Sequence, residues 1–273
     1  MASTRLLSGA DVGLWAEGAP GARSASWKHI ASPQGAMAVT YPIMYQDTKF
    51  HVDQFLGFDL DPVQWDSNSS MGPDPWSVDS GTCYAGTGTV DNNSVSLWGA
   101  ETLLPSKNCG AEFRFKVDTI SGFQLEAGLI NRLSPDTTLP IISDIDTPAA
   151  VSGDTGAVFH IDTDQTLATG AFVTSSAAGG TVAKTAVGTF TPTADNFYTL
   201  RVQTVFDQSA GYSAFFYLWN TNANRMTLVA SGDKTLAVST NATTKLGPWF
   251  LVRTRNTTEK IATLSYAAKW MDQ

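Results

Sequence analysis

Residues 111–118 read AEFRFKVD, and this short stretch decides the fold class. Phe113, Phe115 and Val117 alternate with Glu112, Arg114, Lys116 and Asp118. A period of two sends successive side chains to opposite faces of a pleated strand, so a half-buried strand is expected here, apolar side inward. Working outward, the same period returns. In 122–131 (GFQLEAGLIN) Phe123, Leu125, Ala127 and Leu129 share a face, and in 156–162 (GAVFHID) Ala157, Phe159 and Ile161 do. Over 198–206, Tyr198, Leu200, Val202 and Phe206 oppose Arg201 and Gln203. Residues 212–219 are apolar on both faces, as a central strand would be. Two further strands, 248–255 and 261–270, close the pattern, the latter with Leu264, Tyr266 and Trp270 on one side.

Gly, Asn, Ser and Asp clusters at 209–211, 220–222, 231–233 and 255–256 read as turns. The stretches 66–80 and 133–155 read as long loops. Many short strands with no helical period between them predict an all-β, antiparallel sandwich or barrel. Composition agrees. Of 273 residues, 42% are hydrophobic and 15% charged, which sustains one large core under an uncharged polar surface. The 14 Phe, 8 Trp and 7 Tyr suit pleated strands better than helices.

The chain divides near residue 50. Residues 1–50 carry small residues, Gly and Pro, with scattered anchors that include Leu14, Trp15, Trp27 and Tyr41, and show no sustained period. They are expected to form an extended N-terminal arm that orders against a neighbouring subunit, and 51–273 to form the sandwich domain. A net charge of −8 with no Lys/Arg run argues against a nucleic-acid partner. The apolar runs fall short of the roughly 20 residues that span a bilayer. The N-terminus lacks the continuous apolar core of a secretory signal. Cys83 and Cys109 are expected as free thiols, with pairing left open.

Between residues 54 and 270 the order of segments resembles the concanavalin A-like (laminin G-type) jelly roll. The segments are FLGFDLDPVQW (55–65), SLWGAE (96–101), AEFRFKVD, FQLEAGLIN (123–131), GAVFHIDTD (156–164), NFYTLRV (196–202), SAFFYLWNTNANRMTLVAS (213–231) and a closing YAAKW (266–270). The Gly/Ala-rich leader further resembles structural proteins of tailed bacteriophages, either capsid decoration (cement) or fibre proteins. That resemblance implies a virion protein on the capsid surface, made in the host cytoplasm, with the major capsid protein and copies of itself as partners. Cyclic closure suggests a homotrimer. The arm would bind through Leu14, Trp15, Trp27 and Tyr41. The alternative is a carbohydrate-binding or host-adhesion module, lectin-like, that takes a host surface glycan.

The three histidines, His29, His51 and His160, show no nucleophile–base pattern, and no Gly-x-Ser-x-Gly occurs. His160 alternates with Phe159 and Ile161, which puts it on the polar face of its strand. Glycosidases of the resembled fold place two Glu on one strand as Glu-x-Asp-x-x-Glu. The five Glu here, 17, 101, 112, 126 and 259, form no such pattern. Glu126, isolated among apolar neighbours, is expected as an outward strand residue. No enzyme is expected, and no cofactor. Of three Asp-x-Asp pairs, Asp162/Asp164 is the best candidate for Ca²⁺, although Asp is also an ordinary turn residue. Trp65, Trp76 and Trp98 lie in or beside loops, where rings either stack on sugars or anchor a core or interface.

Overall fold

The computed structural model describes residues 27–31, 38–42, 48–56, 59–71, 75–131, 140, 155–164, 170–176, 181–187, 190, 192–207, 211–221, 227–235 and 244–272. Strands dominate them. The first two, β1 (Trp27–Ala31) and β2 (Ala38–Pro42), pair antiparallel as a separate two-stranded sheet. Leu14 and Trp15 lie outside the described residues, as do the side chains of Trp27 and Tyr41, whose backbones run in β1 and β2. β3 (Thr48–Asp53) crosses the boundary expected at residue 50 and joins the sandwich.

The next strands are β4 (Trp65–Ser69), β5 (Ser77–Asp79), β6 (Thr82–Gly86), β7 (Ser94–Gly99), β8 (Gly110–Val117) and β9 (Phe123–Asn131). After them come β10 (Thr155–Asp162), β11 (Ala171–Ser176), β12 (Thr181–Ala186), β13 (Tyr198–Asp207), β14 (Gly211–Asn220), β15 (Thr227–Thr235), β16 (Gly247–Thr254) and β17 (Ile261–Asp272). One sheet has the order β12-β11-β10-β9-β16-β7-β4. The other runs β15-β14-β13-β8-β17-β6-β5, with β3 also paired to β17. Every pairing is antiparallel, and sequence neighbours such as β8 and β9, or β16 and β17, lie in opposite sheets. This is a jelly-roll sandwich.

The inward faces meet as alternation requires. Phe113 and Phe115 of β8 face Phe250 of β16 across the core, with ring centroids 5.9 and 5.6 Å away. Phe172 of β11 stacks on Phe216 of β14 at 4.8 Å and 14°. Each fully buried ring of this kind stabilises the fold by about 1.5–3 kcal/mol.

Three local expectations are corrected. Residues 66–80 are not a continuous loop, because β4 and β5 lie within them. The 231–233 cluster is not a turn: Ser231, Gly232 and Asp233 pair with Tyr217, Phe216 and Phe215 inside β15. Gly232 suits that place because a β-carbon there would meet the Phe172 ring at 3.0 Å. Glu112 and Arg114 are not solvated either, at 0% and 7% exposure. Their strand is central, so neighbours supply partners. Arg201 Nε donates to Glu112 at 2.6 Å, and the Tyr266 hydroxyl donates to its other oxygen. Arg114 donates to Ser265 at 2.8 Å, its guanidinium 4.0 Å from the Phe197 ring centre. Except for residues 140 and 155, the long connection expected over 133–155 lies outside the described residues.

Candidate functional site

The side chains pointing away from the core on the seven-stranded sheet form a second buried layer rather than a solvated face. β9, β10 and β16 are adjacent, and their register lays these residues out in rows. Gln124 stands between Asp162 and Arg253; Glu126 between His160 and Leu251; Gly128 between Val158 and Trp249. Beyond Trp249, β7 places Trp98 directly opposite. Ile130, Val158, Ala171, Val173, Trp249 and Leu251, with Trp98 packed against them, make a second apolar cluster separate from the main core.

A pocket of about 330 Å³ opens at one end of this face. Half-buried Trp98 lines it with Ile130 and Pro248, backed by Trp249, which is 1% exposed and packs on Trp98 with ring centroids 6.2 Å apart at 37°. Gly99 and Gly247 supply bare backbone. A β-carbon on Gly247 would sit 2.4 Å from the Gly99 carbonyl, and one on Gly99 would sit 2.6 Å from the Pro248 ring. Only glycine permits that close approach at both places. Among the described residues Glu101 is the charged member of the lining. Its carboxylate accepts a 2.8 Å hydrogen bond from the Asn131 amide, which also donates to the Lys245 carbonyl at 3.0 Å. The wall is therefore fixed by β9 and by the segment leading into β16.

Behind Trp249 lies a polar layer. Glu126, fully buried, accepts from His160 Nδ1 at 2.9 Å and from Trp249 Nε1 at 3.3 Å. A carboxylate can only accept, so Nδ1 of His160 carries the proton in this bond. Glu126 and His160 stand on the outer face of their sheet, as alternation predicts, and both are buried there at 0% exposure. Among the described residues, neither amide atom of Gln124 nor Nε2 of His160 finds a hydrogen-bond partner. Each such group costs roughly 1–3 kcal/mol when left unpaired. The surrounding packing must offset that cost.

Asp162 and Asp164, the calcium candidates, converge on a cation of the chain itself. Arg255 lies 3.3 Å from the Asp162 carboxylate and 3.9 Å from that of Asp164. Asp162 also accepts the backbone N–H of Asp164 at 3.1 Å, the local bond that makes Asp a turn residue. Burial pushes the Asp162 carboxyl above its ordinary range, and the Arg255 charge opposes that rise. Among the described residues no group of three or more His, Cys, Asp or Glu side chains converges as a metal site would.

The three tryptophan candidates part company. Trp65 is 3% exposed and donates to Asp53 at 3.0 Å. Trp76 is 7% exposed, donates to the Ser96 carbonyl at 2.8 Å and packs edge-on against Phe250. Both are core residues: Trp65 opens β4, and Trp76, in the connection just before β5, turns inward. Trp98 is half-buried and lines the pocket. Trp249 and Glu101 complete it and were not singled out from sequence. Only the β7–β16 register brings Trp249, 151 positions along the chain, beside Trp98. Cys83 and Cys109 are both free and buried.

No family model matches the chain, and no curated protein matches it either. Solved structures do. A peanut lectin structure with a nine-residue peptide has a TM-score of 0.56 at 11% identity, covering 82% of this chain and 97% of that one. The Emp47p carbohydrate recognition domain scores 0.53 at 9% identity, covering 83% and 97%. A pseudo β-1,3-glucanase of Mycobacterium tuberculosis scores 0.52 at 10% identity, covering 82% and 98%. At such identities the likeness speaks to fold alone: the chain is a jelly-roll β-sandwich of the concanavalin A and legume-lectin type.

Proposed function

We propose that this protein binds carbohydrate in the pocket lined by Trp98. The observation that carries the reading is the half-buried Trp98 indole, backed by the buried Trp249 ring, on the wall of a cavity of about 330 Å³. That volume falls at the lower end of the range of about 300–1,000 Å³ typical of small-molecule sites. Pyranose rings present flat C–H faces that pack on indoles, while their hydroxyls need acceptors and donors at the edge. Glu101 and the backbone of Gly99, Ala100 and Gly247 stand at that edge. Two of the structural neighbours, a lectin and a carbohydrate recognition domain, support the reading by analogy of fold.

Binding without turnover is part of the proposal. Hydrolysis by two carboxylates needs a facing pair. Among the described residues Glu101 is the one carboxylate that lines the pocket, and Glu126 is buried behind Trp249. The other reading from sequence, capsid decoration through residues 1–50, draws on segments of which only strand backbones are described. No observation among the described residues favours it.

The test is a titration of the full chain with a panel of mono- and oligosaccharides, followed by heat or tryptophan fluorescence. Trp98→Ala is expected to weaken any hit by more than about tenfold, the loss of one aromatic contact surface. Its melting temperature should change little, because Trp98 is half-buried. Undiminished binding by Trp98→Ala, or no saccharide bound at all, would sink the proposal.

A further inference from the structure

We infer that the pocket selects saccharides whose substituents carry a methyl group, an inference that rests on the carbohydrate reading above. Two features point the same way. The first is the chemistry of the wall. Trp98, Ala100, Ile130 and Pro248 bring ring and aliphatic carbon to it, and Gly99 and Gly247 bring no side chain at all. Trp98 is half-buried and Ala100 exposed, two positions apart in sequence, so the surface offered first to a ligand is an indole beside a methyl group. Ile130 and Pro248, both buried, complete an apolar wall.

The second feature is the state of the polar groups around that wall. They are largely committed to the protein itself. Glu101 is held by Asn131 at 2.8 Å among other contacts. The Ala100 carbonyl accepts the Thr102 N–H at 2.9 Å and its hydroxyl at 3.4 Å. Gly99 is paired in register with Trp65, and Gly247 with Ile130. The indole N–H of Trp249 is directed to Glu126 at 3.3 Å. Carbonyl and carboxylate oxygens keep a second lone pair, which suffices to meet a sugar hydroxyl at the edge. It does not reward hydroxyls all round a ring. A hydroxyl pressed against Trp98, Ala100 or Ile130 loses its water and gains no partner, which weakens binding. A methyl group in the same place strengthens binding about fourfold by leaving water. A charged substituent has the most hydration to lose.

A methyl group arrives on a sugar either in an acetamido group or as the end of a 6-deoxyhexose, and the experiment separates the two. Calorimetric titrations of the full chain use trisaccharides of N-acetylglucosamine, of glucosamine, of glucose and of a 6-deoxyhexose, together with free N-methylacetamide. The acetylated trisaccharide, the deoxy trisaccharide or both are expected to bind at least about fourfold tighter than the glucose trisaccharide. Whichever does so identifies the source of the methyl group. The advantage should persist in about 0.5 M salt, because no charge carries it. It should also come with a more negative heat-capacity change than glucose gives, the mark of buried apolar surface.

Equal affinity for the glucose trisaccharide and both methyl-bearing ones, tightest binding of glucose or glucosamine, or an advantage that salt abolishes overturns the inference. In those cases Trp98-dependent binding of any trisaccharide leaves the carbohydrate reading standing. N-methylacetamide binding as tightly as the acetylated trisaccharide overturns the saccharide part and assigns the pocket to small amides. No binding by any member overturns both readings.

Discussion

Glu126→Ala tests the link between the buried polar layer and the pocket. The carboxylate is inaccessible to solvent and accepts from His160 Nδ1 at 2.9 Å and Trp249 Nε1 at 3.3 Å. Hydrogen bonds to a charged group contribute about 1.5–3 kcal/mol each, and breaking a buried pair by removing one partner costs about 3–5 kcal/mol. The loss of the carboxylate's own desolvation penalty offsets part of the sum, so about 3–5 kcal/mol is the expected destabilisation. In a chain of this size each kcal/mol lowers the melting temperature by about 2–4 °C, giving a fall of roughly 6–20 °C. Glu126→Gln should cost less, about 1–2 kcal/mol, because its amide oxygen still serves one of the two donors. Urea unfolding followed by circular dichroism measures both variants. A cycle with His160→Leu should return a coupling of about 0.5–3 kcal/mol. Saccharide affinity should also fall in Glu126→Ala, although Glu126 is not part of the pocket lining, because the Trp249 ring loses its anchor. A destabilisation below about 1 kcal/mol, together with additive effects of Glu126 and His160, would refute the reasoning.

Alkaline stability offers a second check. Burial holds the Cys109 thiol protonated up to about 12, against 9.0 for an ordinary thiol. The unfolded chain releases that proton first, so stability falls as pH rises from about 9 to about 12, by about 1.4 kcal/mol per pH unit at most. Cys109→Ala should lose this part of the slope in urea titrations at increasing pH; parallel slopes would count against it. On the other sheet, Glu112→Leu alone should cost about 3–5 kcal/mol by stranding Arg201 and Tyr266. The triple change Glu112→Leu, Arg201→Met, Tyr266→Phe should recover most of that loss in thermal melts, and a triple variant as unstable as the single one would contradict the buried-network account.

The strands were legible where one face alone is apolar. The alternation of Phe113, Phe115 and Val117, or of Phe123, Leu125 and Ala127, survives because each faces one core. Legibility failed where a local signal competes with a distant partner. Ser231, Gly232 and Asp233 carry turn chemistry, yet β14 pairs them and Phe172 packs on Gly232. Glu112 and Arg114 look solvated until β13 and β17 deliver Arg201, Tyr266 and Ser265 beside them. For the site, Trp98 stood out as an aromatic near a loop, whereas Trp249 was hidden in a strand apolar on both faces. Their meeting depends on register, as does that of Glu126 and His160, 34 positions apart. A sequence read from its own periodicities cannot supply either pairing.

One feature of the topology bears on how the chain is made. The strand latest in sequence, β17, is not at an edge: it lies between β8 and the β5–β6 ribbon and also holds β3. On a ribosome, then, β3 and the β5–β6 ribbon have no place in their sheet until residues 261–272 have left the exit tunnel. Until then a nascent chain carries the open edges of β8 and of the β5–β6 ribbon. Docking of β17 thus closes the half-built sheet in one step, and stalled products shortened before β17 are the species that chaperones and proteases would be expected to meet.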